Sequence, residues 1–136
     1  MGQALVAKMK QNQIALVPTL KLFRHEGRHS RAFFTELEVN KAFGQLRRYS
    51  RAGGTVLFGT DVGYMDGYDT NEEFALMARA GLSYREILAS LTTAPATRFG
   101  RPNEVGRIAN GMSADVVLLA GDPARDVSAF ARVRVL

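Results

Sequence analysis

Two short apolar runs set the tightest limit on how this chain can fold: residues 13–20, QIALVPTL, and residues 55–58, TVLF. Neither alternates polar with apolar residues, so each reads as a strand buried on both faces, the kind found in parallel sheets. Pro18 lacks a backbone N–H and fits only near the end of the first run. Between the runs, Val39, Ala42, Phe43, Leu46 and Tyr49 recur at helical intervals, and the pattern stops at the pair Gly53-Gly54. Strand, long helix, strand implies a parallel βαβ unit with a right-handed crossover. A further helix is expected over residues 2–12.

After the second run comes DVGYMDGYD, a loop rich in Gly, Tyr and Asp, and then two capping-box patterns. Thr70 with Glu73 opens a helix carrying Phe74 and Met77; Ser83 with Glu86 opens another carrying Ile87, Leu88 and Leu91. Pro95 marks the end of the second. Beyond it, residues 105–109, 114–119 and 132–135 are short strand-like runs separated by Gly, Asn and Pro turns. This change from alternating helix and strand to compact β-structure predicts a boundary near Arg101-Pro102. There is no internal repeat or low-complexity segment.

Composition narrows the class further. The chain has 136 residues, 46% of them apolar, which suffices for an ordinary core. No run approaches the roughly 20 apolar residues of a membrane helix, and the start MGQALVAKMK lacks the apolar centre of a signal peptide, so no membrane partner is expected. The absence of cysteine excludes disulfides and thiolate chemistry, leaves any metal to His, Asp or Glu, and fits the cytoplasm. Residues 1–51 hold ten Lys/Arg against three Asp/Glu, whereas the remainder holds eight against ten. These cations are spread along expected solvated helix faces rather than clustered, so nucleic acid is not the expected partner.

Two stretches bear on chemistry. Residues 25–29, HEGRH, match the pattern by which a helix holds zinc between two histidines with a glutamate as base, which makes a zinc protease one alternative. The context argues otherwise. Gly27 within the turn costs about 1 kcal/mol relative to alanine, the third histidine of the extended pattern is Thr35 instead, and the chain has no other histidine. His25 and His29 are expected in a polar loop after a strand, where a ligand remains within reach.

The second stretch, residues 57–63 (LFGTDVG), sets a carboxylate directly after a buried strand. Parallel βα architectures carry functional groups at the carboxyl ends of their strands, and Gly59 and Gly63 permit close approach to Asp61. Local sequence serves a turn or helix cap equally well.

The ordered blocks VPTL, TVLFGTD, SYREILASLTTAPATRFG and VGRIANGMSADVVLLAGDP together resemble the carboxyl-terminal part of the amidohydrolase superfamily. Within it they are most similar to the imidazolonepropionase-like and Xaa-Pro-dipeptidase-like hydrolases. The resemblance covers nearly the whole chain. It implies an α/β fold: terminal βα units of a (β/α)8 barrel over residues 1–101, then short strands of a small β-sandwich over 102–136, an incomplete domain. It implies that Asp61 is the last barrel strand's metal ligand, shuttling a proton between a metal-bound water and the leaving group. It also makes Asp115 structural, a turn or backbone-binding residue. The cofactor implied is one or two divalent metals, commonly zinc. The reaction implied is hydrolysis of a C–N bond in a small amide, cyclic amide or dipeptide. His25 and Tyr64 are candidate substrate contacts because loops at that barrel face carry specificity.

The chain departs from the family's pattern in one respect. The family's H-x-H pair, its central lysine or glutamate, and its two further histidines all precede the VPTL strand and have no counterpart here. A catalytic zinc takes about three protein ligands, so the isolated chain is expected to be inactive. The expected partner is the missing amino-terminal portion of the barrel. A non-catalytic chain that folds by docking onto such a partner is the alternative.

Overall fold

The computed structural model describes residues 1–29 and 36–135; the side chains of 27–29 and 135 fall outside the described residues. Helices dominate: α1 (Gln3–Gln11), α2 (Leu20–His29), α3 (Glu36–Arg51), α4 (Asn71–Arg79), α5 (Tyr84–Leu91) and α6 (Thr93–Arg98). Strand β1 (Leu118–Leu119) and strand β2 (Val133–Val135) form an antiparallel pair, and a 3-10 turn at Val127–Ala131 lies between them.

The two apolar runs meet in parallel, as their sequence predicts, but only at the isolated bridge of Leu16 with Val56, and neither forms the full strand expected of it. Leu16 N–H donates to the Thr55 carbonyl at 2.9 Å, and Leu57 N–H donates to the Leu16 carbonyl at 2.9 Å. The expectation of burial on both faces is corrected, because Ile14 and Val17 are 46% and 45% exposed. No further strand lies against the first run among the described residues, and only part of it is covered: Leu20 is buried and Leu16 packs against the core, while Ile14 and Val17 are left half-exposed. The second run is better protected. Its Phe58 N–H donates to the Ser90 carbonyl of α5 at 3.1 Å, which blunts that edge.

Helix α3 forms where the periodicity places it. Glu36 and Glu38 in its first turn and Arg48 and Arg51 in its last complement the helix dipole. Phe43, Leu46 and Tyr49 make its buried stripe. Gly53 ends it at φ 75, with Gly54 N–H returning to the Tyr49 carbonyl at 3.0 Å. The chain then passes so near Tyr49 that a Cβ on Gly54 would sit 2.4 Å from the ring. The Tyr49 hydroxyl in turn donates to the Ile14 carbonyl, so α3 is tied to the first run.

One core joins these parts: Val6, Leu20, Phe43, Leu46, Val56, Phe74, Met77, Ile87 and Phe130 are among its buried members. Phe74 stacks on Phe58 with ring centroids 4.6 Å apart and meets Phe130 at 5.3 Å. The 3-10 turn carrying Phe130 therefore packs against α4. No buried side-chain nitrogen or oxygen among the described residues lacks a hydrogen-bond partner.

Several local expectations are revised. Residues 25–29 belong to α2 and not to a polar loop, so a second helix precedes α3. Residues 105–109 are bends and irregular backbone rather than a strand, and of the run 114–119 only Leu118–Leu119 is strand. Pro95 sits in the first turn of α6, where its missing N–H is tolerated, and α5 ends earlier, at Leu91. The Ser83–Glu86 capping box is formed as expected. Thr70 gives no side-chain cap to α4, and Glu73 is engaged elsewhere. Asp115 lies exposed in an irregular stretch outside any turn.

Candidate functional site

Parallel pairing puts the carboxyl ends of both runs on one rim. At that rim Gly59 approaches Val17 so closely that a Cβ would lie 2.5 Å from Val17 Cγ1. Both runs leave the rim through left-handed residues, Thr19 at φ 43 and Asp61 at φ 56. Asp tolerates this region better than most residues, whereas a β-branched threonine there is strained. The Asp61 carbonyl accepts from Tyr64 N–H at 3.3 Å, and Asp61 itself is exposed.

The loop running from Asp61 to Asp69 lies against α2. Tyr64 donates its hydroxyl to Glu26 Oε1 at 3.2 Å. That hydrogen bond, the charge on Glu26 and, to a smaller extent, the charge on Asp61 push the Tyr64 phenol above its ordinary value of 10.0. Asp61, Glu26 and Tyr64 thus share one electrostatic neighbourhood. His25 precedes Glu26 on α2 and is half-buried. Lys21 Nζ donates to the Asp69 carbonyl at 2.7 Å and the Gly67 carbonyl at 3.2 Å. Arg24 pairs with Glu72 at 3.3 Å.

Beneath the rim, Glu73 is fully buried and accepts from the backbone N–H groups of Leu20 at 2.9 Å and Lys21 at 2.7 Å. Burial raises its carboxyl above the ordinary value by more than these two bonds lower it. The sequence reading missed Glu26 as a partner of Tyr64, and it missed both Lys21 and Glu73. Glu73 carried a usable signal, since it lies three and four residues before Leu76 and Met77 and so shares the buried face of α4.

Among the described residues no three His, Asp or Glu side chains group closely enough to hold a metal. Asp61 therefore belongs to no such group, while a catalytic zinc takes about three ligands from protein. A depression of about 520 Å³ lined by Gln13, Ser50, Gly54, Thr55, Glu86 and Arg98 lies at the amino ends of the paired runs, away from Asp61.

The comparisons with known proteins fit this geometry. Residues 5–135 match the model of the Amidohydrolase family. The chain belongs to the amidohydrolase family. Among curated proteins none matches it. Among solved structures, a Xaa-Pro dipeptidase with methionine bound in its active site superposes with a TM-score of 0.82 at 25% identity over 98% of the chain. A prolidase complexed with N-methylphosphonate-L-proline gives 0.76 at 28% identity, also over 98%. The chain spans 35% of the length of each of these two structures. The family match takes in residues 25–29, so HEGRH needs no protease to account for it.

Proposed function

We propose that this chain is the carboxyl-terminal portion of a metal-dependent amidohydrolase that cleaves a C–N bond in a dipeptide, amide or cyclic amide. Residues 1–101 would supply the last βα units of a (β/α)8 barrel, and residues 102–136 strands of the small β-sandwich beside it. The observation that carries this reading is the parallel pairing at Leu16 and Val56, which brings Asp61 to the rim where the PTL segment ends. In eight-stranded βα barrels that rim is where chemistry is built.

A divalent metal, zinc first, would supply the acidity that makes water a nucleophile at neutral pH. This chain's own contribution is the Asp61 carboxylate. It would serve as one ligand, accept the proton that the attacking water loses and deliver it to the leaving nitrogen. Its exposure leaves it open to both substrate and solvent. Tyr64 on the loop and His25 on α2 are the proposed substrate contacts. The solved dipeptidase and prolidase favour a dipeptide substrate with proline in its second position. The cysteine-free composition favours a cytoplasmic setting, and no described helix is long and apolar enough to cross a membrane.

A second reading is favoured by the half-exposed Ile14 and Val17 on the paired runs: a chain without chemistry of its own that docks onto a partner supplying the remaining strands. Co-expression with an amino-terminal amidohydrolase barrel portion separates the two. The hydrolase reading expects the purified complex to release proline from Xaa-Pro dipeptides or to open cyclic amides. A stable complex that hydrolyses neither class would leave the docking reading in its place.

A further inference from the structure

Glu73 raises a question that neither fold nor family answers. A carboxylate sealed from water needs hydrogen bonds or opposite charge around it. The partners of Glu73 are two backbone amides 53 and 52 residues earlier in the chain, those of Leu20 and Lys21. These belong to the first turn of α2, whose N–H groups have no acceptor within the helix and whose partial positive charge favours an anion. An N-terminus is ordinarily capped by the residue just before it. Here that residue is Thr19, at φ 43, in a region where a β-branched side chain is strained. The carboxylate thus supplies the acceptors for a helix start whose preceding residue is strained.

The linkage continues outward. Lys21, whose amide is held by Glu73 Oε2, uses its ammonium to bind the carbonyls of Gly67 and Asp69. Those residues end the loop that begins at Asp61 and leads into α4, the helix that bears Glu73. The path from α4 to the start of α2, to the loop and back to α4 is closed. Midway along that loop, Tyr64 reaches Glu26 on α2.

We propose that Glu73 is a positioning residue. Through the amides of Leu20 and Lys21, and through the Lys21 ammonium on the Gly67 and Asp69 carbonyls, it fixes where the loop from Asp61 to Asp69 lies on α2. The geometric claim stands independently of the chemistry; its importance for hydrolysis rests on the reading of Asp61 given above.

Glu73→Gln tests it with almost no change of volume. The amide keeps one acceptor oxygen but turns an NH2 group toward the other backbone N–H, so one of the two amides loses its partner. Hydrogen exchange and the nuclear Overhauser contact between the Tyr64 ring and the Glu26 side chain, both on the 136-residue chain, are the readouts. The amides of Leu20 and Lys21 should exchange about tenfold faster or more, while those of Leu46 and Tyr49 stay unchanged. The contact between Tyr64 and Glu26 should weaken as the loop loosens from α2. Lys21→Met, outside the core, should leave the Leu20 and Lys21 amides protected and weaken the same contact. If Glu73→Gln does not fold, Lys21→Met decides alone. An undiminished contact between Tyr64 and Glu26 in Lys21→Met, or equal acceleration of all amides in Glu73→Gln, overturns the proposal. Neither readout involves hydrolysis, so that outcome would leave the assignment of Asp61 standing.

Discussion

Tyr49 and Gly54 illustrate how single residues set this structure. The Tyr49 ring is fully buried and the chain crosses over it at Gly54, where a side chain has no room. Gly54→Ala should therefore destabilise the protein by about 1–3 kcal/mol, the usual cost of overpacking, measured as a drop in the denaturation midpoint. Asp126 makes the opposite kind of contribution, at the surface. It accepts from the Ser128 hydroxyl at 2.5 Å, from Ser128 N–H at 3.0 Å and from Arg132 at 3.0 Å, and these bonds hold its carboxyl down from 3.8 to about 2. A carboxyl depressed on folding adds stability that is complete above its unfolded value and vanishes as pH falls through the folded one. The turn at Val127–Ala131 should consequently loosen between about pH 4 and about pH 2, seen as faster exchange of the Ser128 and Ala129 amides; Asp126→Asn should remove that dependence.

Among elements, α3 and α5 were legible in the sequence because everything that makes them lies within them. The α3 stripe recurs at helical spacing and stops at two glycines, and α5 carries its own capping box. Helix α2 was not legible. Its cap is Glu73, far along the chain, and its own sequence offers a glycine, three Lys/Arg and two histidines where an apolar stripe would announce a helix. Residues 105–109 show the converse failure, since a short run read as a strand is bends and irregular backbone with no strand partner among the described residues. Helix α3 carries one interior glycine. Gly44 has no atom within 4 Å of the position its Cβ would take, so Gly44→Ala should stabilise the protein by about 0.5–1 kcal/mol, read from the same denaturation curves that register the loss in Gly54→Ala.

At the scale of the whole molecule, the parallel pair and its rim were readable from two apolar runs and a glycine-flanked aspartate. The carboxylate under the rim was not, because a capping pattern with Thr70 offered Glu73 a nearer and more ordinary use. Among the described residues, the carboxylates near the rim, Asp61 and Glu26 among them, form no group of three that could hold a metal. The isolated chain should accordingly bind no stoichiometric zinc by elemental analysis; one equivalent of zinc, lost on His25→Ala, would instead revive the HEGRH reading. Joined to an amino-terminal barrel portion, the same chain should gain metal, and a chelator should abolish hydrolysis until the metal is returned. The most direct test of the account is the turnover of that complex with Asp61→Asn. The substitution preserves shape but cannot accept and return a proton, so kcat should fall about 10²–10⁴-fold with the melting transition unchanged. Undiminished turnover in Asp61→Asn would contradict the account.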